Sequence, residues 1–183
     1  MRIKLGVPMQ LKRIAELING IITVDDATIT HVTTDTRTAL PGDLFIADQK
    51  GLAYLTEAKR LGAYTLSAEQ DSCIIVKDSA DVLLKFAKEY VRNLPYILYK
   101  IGISGSVGKT TTKEFLKIIL SERCKVHANE GNFNNEIGMP MSILQTPLDT
   151  QVIIMEMGMN HAGEIKKLSE CLTPDIGIIT NIG

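Results

Sequence analysis

Ile101-Gly102-Ile103-Ser104-Gly105-Ser106-Val107-Gly108-Lys109-Thr110-Thr111-Thr112 is the stretch that decides the fold of this chain. An apolar run enters it, a glycine-containing turn follows, and a helical pattern leaves it. Gly108-Lys109-Thr110 is the tail of a phosphate-binding loop set between a strand and a helix. Glycines allow the tight turn that points successive backbone N–H groups, and the helix N-terminus, at phosphate oxygens. The general pattern places a glycine at position 103, where this chain has Ile103, so the loop is of the shorter G-x-x-G-K-T kind. The spacing predicts ATP binding by Gly105, Ser106, Val107, Gly108, Lys109, Thr110 and Thr111. Lys109 would supply a mobile positive charge, and the Thr110 hydroxyl would ligate Mg²⁺. A chance Gly-Lys-Thr in a turn is the alternative, and the flanking strand and helix speak against it.

Working outward, Val152-Ile153-Ile154-Met155 reads as a strand that ends in Glu156. A carboxylate at the C-terminal end of a neighbouring parallel strand is where a phosphate-loop enzyme anchors its metal, so Glu156 is the second metal and catalytic candidate beside Lys109 and Thr110. Without the loop it would be an ordinary strand-end Glu. Between these two segments lies Asn129-Glu130-Gly131-Asn132-Phe133-Asn134-Asn135-Glu136-Ile137-Gly138. As residues alone it reads equally as a polar connecting loop and as a set of uncharged amides that orient phosphate or carboxylate oxygens.

The remaining pattern alternates strands with helices. Helices are expected at Thr110–Leu120, near Pro140–Gln145 and at Gly163–Leu172; strands at Tyr96–Ile103, Lys125–Ala128, Val152–Met157 and Ile176–Thr180. Strands apolar on both faces and separated by helices indicate a parallel sheet covered on both sides. Upstream, Leu11, Ile14, Ala15 and Ile18 form a helical stripe stopped by Asn19-Gly20. Short β-type runs follow at Ile21–Val24, Thr28–Thr33, Leu44–Ala47 and Cys73–Val76, with a helix around Leu52–Leu61. Ser79 is placed to cap a helix carrying Val82, Leu83, Phe86, Tyr90 and Val91 on one face. Asn93-Leu94-Pro95 breaks that helix and sets the expected boundary between a domain over 1–94 and a second over 95–183. The fold class is therefore α/β: a small N-terminal α/β domain followed by a parallel-sheet phosphate-loop domain that looks incomplete at Asn181-Ile182-Gly183.

Composition excludes several classes. Twenty basic and 21 acidic residues in 183 leave a net charge of −1, which offers no basic field for nucleic acid. No apolar run approaches the roughly 20 residues that span a bilayer, and the N-terminus lacks a cleavable export signal. Cys73, Cys124 and Cys171 lie far apart with no metal-ligand spacing, as expected of a reducing, cytoplasmic compartment. His31, His127 and His161 form no metal or triad spacing and read as surface or half-buried side chains, His161 being nearest the Glu156 loop. A GTPase would need an Asn-Lys-x-Asp signature and a small kinase an Arg-rich lid; neither is present.

Gly105–Glu114, Gly131–Pro140, Glu156-Met157-Gly158 with Gly163-Glu164-Ile165, and Thr180–Gly183 resemble the central domain of the Mur ligases. Thr34-Asp35-Thr36-Arg37 followed by Pro41–Ala47 resembles the Asp-Ser-Arg…Pro-Gly-Asp-Leu-Phe signature of that family's UDP-binding N-terminal domain. The family's Asp-Gly-His after Lys-Gly is missing, since Lys50-Gly51 runs into Leu52-Ala53-Tyr54. The resemblance implies an ATP- and Mg²⁺-dependent amide-bond ligase of peptidoglycan synthesis, hence of cell-wall biogenesis, cell shape and cell division, in the cytoplasm. The Lys113-Glu114 pair, the Asn-Asn-Glu-Ile-Gly loop and the Gly-Glu-Ile favour, within the family, the addition of D-alanyl-D-alanine to UDP-N-acetylmuramoyl-tripeptide through an acyl phosphate. Thr36 and Arg37 would then meet the uridine-nucleotide end, and Asn134 and Asn135 would orient substrate or phosphate. It also implies that a C-terminal portion of the ligase is missing and that the chain alone is inactive. A non-catalytic nucleotide-binding fragment, from a split or decayed gene, is the alternative.

Overall fold

A computed structural model describes residues 1–182; Gly183, the last residue of the Thr180–Gly183 match, lies outside the described residues. The chain forms two compact units, Met1–Glu89 and Tyr90–Gly183. The division falls inside helix α3 (Val82–Arg92), ahead of the Asn93-Leu94-Pro95 break.

The first unit contains β1 (Arg2–Gln10), α1 (Leu11–Leu17), β2 (Ile21–Ile22), β3 (Thr28–Thr33), β4 (Leu44–Ile46), α2 (Leu55–Arg60), β5 (Tyr64–Ser67) and β6 (Ile74–Ile75). Its sheet runs in the order β1-β3-β4-β5-β6-β2. The four central strands are parallel, and β1 and β2 close the two edges in antiparallel pairing. Two of these strands escape a hydrophobic-pattern reading. In β1, Ile3 and Leu5 are buried in alternation, but the pairing with β3 is irregular between Lys4 and Met9, the stretch that contains Pro8. In β5 the buried Thr65 and Ser67 are polar; Thr65 Oγ1 accepts from Cys73 N–H at 3.1 Å, and the Ser67 hydroxyl bonds that of Ser72 at 2.6 Å. Ser79 stands just ahead of α3, its carbonyl accepting the Val82 N–H at 3.3 Å. Its hydroxyl accepts the Ala68 N–H at 2.7 Å, tying down the chain just after β5.

The second unit contains β7 (Tyr99–Ser104), α4 (Lys109–Ser121), β8 (Val126–Ala128), α5 (Gly138–Leu144), β9 (Val152–Glu156), α6 (Glu164–Leu172) and β10 (Ile176–Ile179). All four strands are parallel, in the order β10-β7-β9-β8. The chain leaves β7 for β8 on one side and later leaves β9 for β10 on the other. Right-handed crossovers then place α4 on one face and α5 with α6 on the opposite face. On the α4 face, Leu116, Leu120 and Cys124 pack on Ile101, Ile103, Val152 and Ile154. Ile153 and Met155 point the other way and are equally buried, so β9 is covered on both sides as a parallel strand requires. β10 keeps Ile176 and Ile179 exposed. Among the described residues, no helix is long and apolar enough to cross a membrane.

Candidate functional site

The site forms where β7 turns into α4. Gly105 (φ +134°) and Gly108 (φ +87°) both occupy backbone conformations that disfavour a Cβ, and these two residues give the loop its turn. Gly108 is the residue before the first turn of α4, whose free N–H groups open onto the loop. Register pairs Ile103 with Glu156 across β7 and β9, so the strand-end carboxylate stands beside the entrance to the loop.

The side chains converge there. Thr110 Oγ1 donates to Glu156 Oε2 at 2.7 Å, and Asn134 Nδ2 donates to Glu156 Oε1 at 2.9 Å. Glu156 is buried, yet each carboxylate oxygen has a hydrogen-bond donor, which offsets the desolvation of its charge. Lys109 folds back on its own loop, donating from Nζ to Gly105 O at 2.6 Å and to Ser106 O at 3.3 Å. Ser106, Val107, Gly108, Thr110 and Thr111 are exposed, as an anion-receiving surface needs.

The structure brings together Lys109, Thr110, Glu156 and Asn134, with the loop Gly105–Gly108. Asn135 has a different use. Its Oδ1 accepts N–H bonds from Ile137 (3.1 Å) and Gly138 (2.8 Å), capping the entry to α5. Four residues outside the candidate set also shape the site. Asn129 brackets the Glu156 backbone, its Nδ2 donating to Glu156 O at 3.0 Å and its Oδ1 accepting Glu156 N–H at 2.9 Å. Lys113, on α4, donates to Asn129 O at 2.7 Å. Thr180 Oγ1 donates to Val107 O at 2.6 Å, while Ser106 N–H donates to Asn181 O at 3.0 Å, so the segment after β10 straps the loop. The Asn-rich run and the hydroxyl after β10 are visible in the sequence, but nothing in their spacing singles out Asn129 or Thr180.

The histidines stand apart from this constellation. His127 donates Nε2–H to Ser142 O at 2.8 Å, and burial holds its pKa below the ordinary value. His161 is exposed and bonds Glu164 at 3.1 Å.

In the first unit, Thr36 is buried and donates from Oγ1 to Glu57 Oε2 at 3.0 Å. Arg37 is exposed and forms a two-pronged pair with Asp35, Nε to Oδ1 at 2.9 Å and Nη2 to Oδ2 at 2.7 Å. The guanidinium holds the Asp35 carboxyl well below the usual carboxylate range. Asp43 of the Pro-Gly-Asp turn is structural: it accepts Arg2 Nε at 2.7 Å, Arg2 Nη2 at 3.0 Å and Leu40 N–H at 2.9 Å.

A parallel sheet with a glycine-turned loop on a helix N-terminus, and a carboxylate at the adjoining strand end, defines the phosphate-loop class of α/β proteins. Residues 103–183 match the Mur ligase middle domain, and the chain as a whole is similar to Mur ligases. It is 36 % identical to the UDP-N-acetylmuramoyl-tripeptide–D-alanyl-D-alanine ligase of Bacillus subtilis over 94 % of this chain and 41 % of that protein. The corresponding ligase of Treponema pallidum is 37 % identical over 83 % of this chain and 37 % of that protein. A crystal structure of MurF from Acinetobacter baumannii superposes with a TM-score of 0.85 at 27 % identity, covering 99 % of this chain and 42 % of that one. The MurF ligase of Thermotoga maritima in complex with ADP gives 0.72 at 31 % identity, over 83 % and 37 %. The chain thus spans about two fifths of the length of the curated relatives it matches.

Proposed function

We propose that this chain carries the nucleotide-substrate and ATP-binding parts of a cytoplasmic ligase that joins D-alanyl-D-alanine to UDP-N-acetylmuramoyl-tripeptide. The assignment extends to this chain what the names of its relatives say of those proteins. The observation that carries it is the Thr110–Glu156 hydrogen bond beside the phosphate loop, which assembles residues far apart in sequence into one oxygen-rich site. In this reading residues 1–94 bind the UDP end and residues 95–183 bind ATP. Ligation takes this chain together with the part of its relatives that it does not span.

The residues fit a magnesium ion. A threonine hydroxyl and a carboxylate are hard oxygen donors, and Mg²⁺ commonly takes one or two such ligands beside substrate phosphates. Thr110 Oγ1 donates its hydrogen to Glu156 and so keeps its lone pairs for a cation. When bound, Mg²⁺ would draw charge from the phosphate oxygens.

The chain's own groups do the rest. Lys109 would exchange the carbonyls of Gly105 and Ser106 for phosphate oxygens of the nucleotide. The loop N–H groups would stabilise the charge that develops as the terminal phosphoryl group passes to the tripeptide carboxylate, releasing ADP. The amine of D-alanyl-D-alanine then attacks the acyl carbon, loses a proton and expels phosphate as the amide forms. Asn134, held on Glu156, stands where it would orient phosphate or carboxylate oxygens. Arg37 is solvent-facing and pre-oriented by Asp35, a form suited to the uridine diphosphate.

The test joins this chain to the remaining portion of the Bacillus subtilis relative and measures phosphate release. Release that needs ATP, UDP-N-acetylmuramoyl-tripeptide and D-alanyl-D-alanine together, and is lost in Lys109→Ala, is the expected result. Nucleotide binding with no such release would favour the non-catalytic reading.

A further inference from the structure

Among the described residues, the buried charged side chains are Asp43, Lys113 and Glu156. Asp43 is matched by Arg2 and Glu156 belongs to the site above. Lys113 has no part in the mechanism, yet its side chain is 1 % exposed, and burying an ammonium is costly unless its hydrogen bonds serve something. Its hydrogen bond runs to Asn129 O at 2.7 Å, and its charge is paired with the half-exposed Glu114 carboxylate, Oε1 at 3.2 Å. Lys113 stands one turn along α4 from Thr110, on the same side of the helix.

Asn129 is itself buried and committed at both ends. Its carbonyl accepts from Lys113, while its side chain bonds both the N–H and the C=O of Glu156 and also Phe133 O, at 2.7 Å. Phe133 directly precedes Asn134, which holds the Glu156 carboxylate. The path Lys113–Asn129–Glu156 therefore links the helix that carries Thr110 to the strand end that carries its partner.

We propose that Lys113 is a positioning residue: through Asn129 it sets the placement of Glu156 against Thr110, and so the affinity of the nucleotide site for its divalent cation. The inference rests on the reading of Glu156 as a metal-holding group.

The experiment titrates ADP into the 183-residue chain over a range of Mg²⁺ concentrations, with amide hydrogen exchange at Glu156 as a second readout. Lys113→Met keeps the shape of the stem and removes the charge. It should raise the Mg²⁺ midpoint at least tenfold, change metal-free ADP affinity less than threefold, and speed exchange of the Glu156 N–H. Asn129→Ala should do the same, and the double variant should be no worse than Asn129→Ala alone, because the lysine acts through that residue. Lys113→Gln, which retains a donor, serves where Lys113→Met does not fold and should lie between wild type and Asn129→Ala. An unchanged Mg²⁺ midpoint with unchanged Glu156 exchange in the lysine variants, or effects of the two single variants that simply add, overturns the proposal. Glu156→Gln separates the two levels. If it leaves Mg²⁺ dependence intact, the metal reading falls while the exchange data still decide whether Lys113 positions Glu156.

Discussion

Thr110 Oγ1 lies 2.7 Å from Glu156 Oε2, joining the first turn of the loop helix to the end of a neighbouring strand. This bond depends on the sheet register, which sets Ile103 beside Glu156, and on the loop, which starts α4 at Lys109. The hydroxyl is oriented by the carboxylate before any ligand arrives, so binding nucleotide need not order it.

Lys109 should carry nucleotide affinity rather than stability. Its bonds to Gly105 O and Ser106 O are part-exposed contacts that water can replace. Lys109→Ala should weaken Mg²⁺-ATP binding by about 1.5–3 kcal/mol, the range of a charge-assisted hydrogen bond, or roughly ten- to hundredfold. Calorimetric titration of both proteins checks it; equal affinities would remove the phosphate-loop assignment.

Glu156→Gln keeps the shape and can still bond Thr110 and Asn134 through its amide. We expect the apoprotein melting temperature to move by less than about 4 °C, the upper end of what 1 kcal/mol produces at this size. The Mg²⁺ dependence of nucleotide binding should weaken sharply. A variant that unfolds with its metal dependence intact would make Glu156 a structural residue.

His127 gives the second unit a pH dependence of known sign. Burial depresses its pKa in the fold, whereas the unfolded chain titrates near 6.5. Above that value the imidazole is neutral in both states and its contribution is constant. As pH falls below about 6.5 the unfolded state takes up a proton that the fold resists, so stability drops towards the lower folded pKa. His127→Gln, which preserves a donor for Ser142 O, should show a shallower loss between pH 7.5 and 5.5 in urea unfolding. Identical pH slopes in the two proteins would refute the assignment.

Much of this was legible because it is local. The strand–loop–helix around Gly105–Thr110 and the apolar strand ending at Glu156 are each contained in one short segment, and both fall where the spacing puts them. β5 was not legible, since its buried Thr65 and Ser67 are made tolerable by partners at Cys73 and Ser72 that come after the strand. Lys113 and Asn129 failed to stand out for the same reason. A lysine on a helix and an asparagine in a polar loop read as solvated until the fold brings them together. Asn135 shows what a motif leaves unread: its place suggested ligand binding, and the fold adds that its side-chain oxygen accepts the N–H groups of Ile137 and Gly138 at the entry to α5.

The loop strap offers the last test. A Cβ built on Gly105 would run into Thr180 Oγ1 and lie 2.9 Å from both the N and O atoms of Asn181. The residue's φ of +134° is also one that side-chain-bearing residues rarely adopt. Gly105→Ala must therefore shift backbone, and the bonds at risk are Ser106 N–H to Asn181 O and Thr180 Oγ1 to Val107 O. Gly131 is the control, for it too has positive φ (+51°) but nothing within 4 Å of a Cβ. Gly131→Ala should cost about 1 kcal/mol of stability and leave ADP affinity within twofold. Gly105→Ala should lose at least tenfold in ADP affinity while the circular dichroism of the sheet and helices is retained. The two effects separate because strain in an exposed turn acts on folding alone, whereas strain in the loop would displace the N–H groups proposed to receive phosphate. Wild-type ADP affinity in Gly105→Ala would mean that the strap plays no part in shaping the loop.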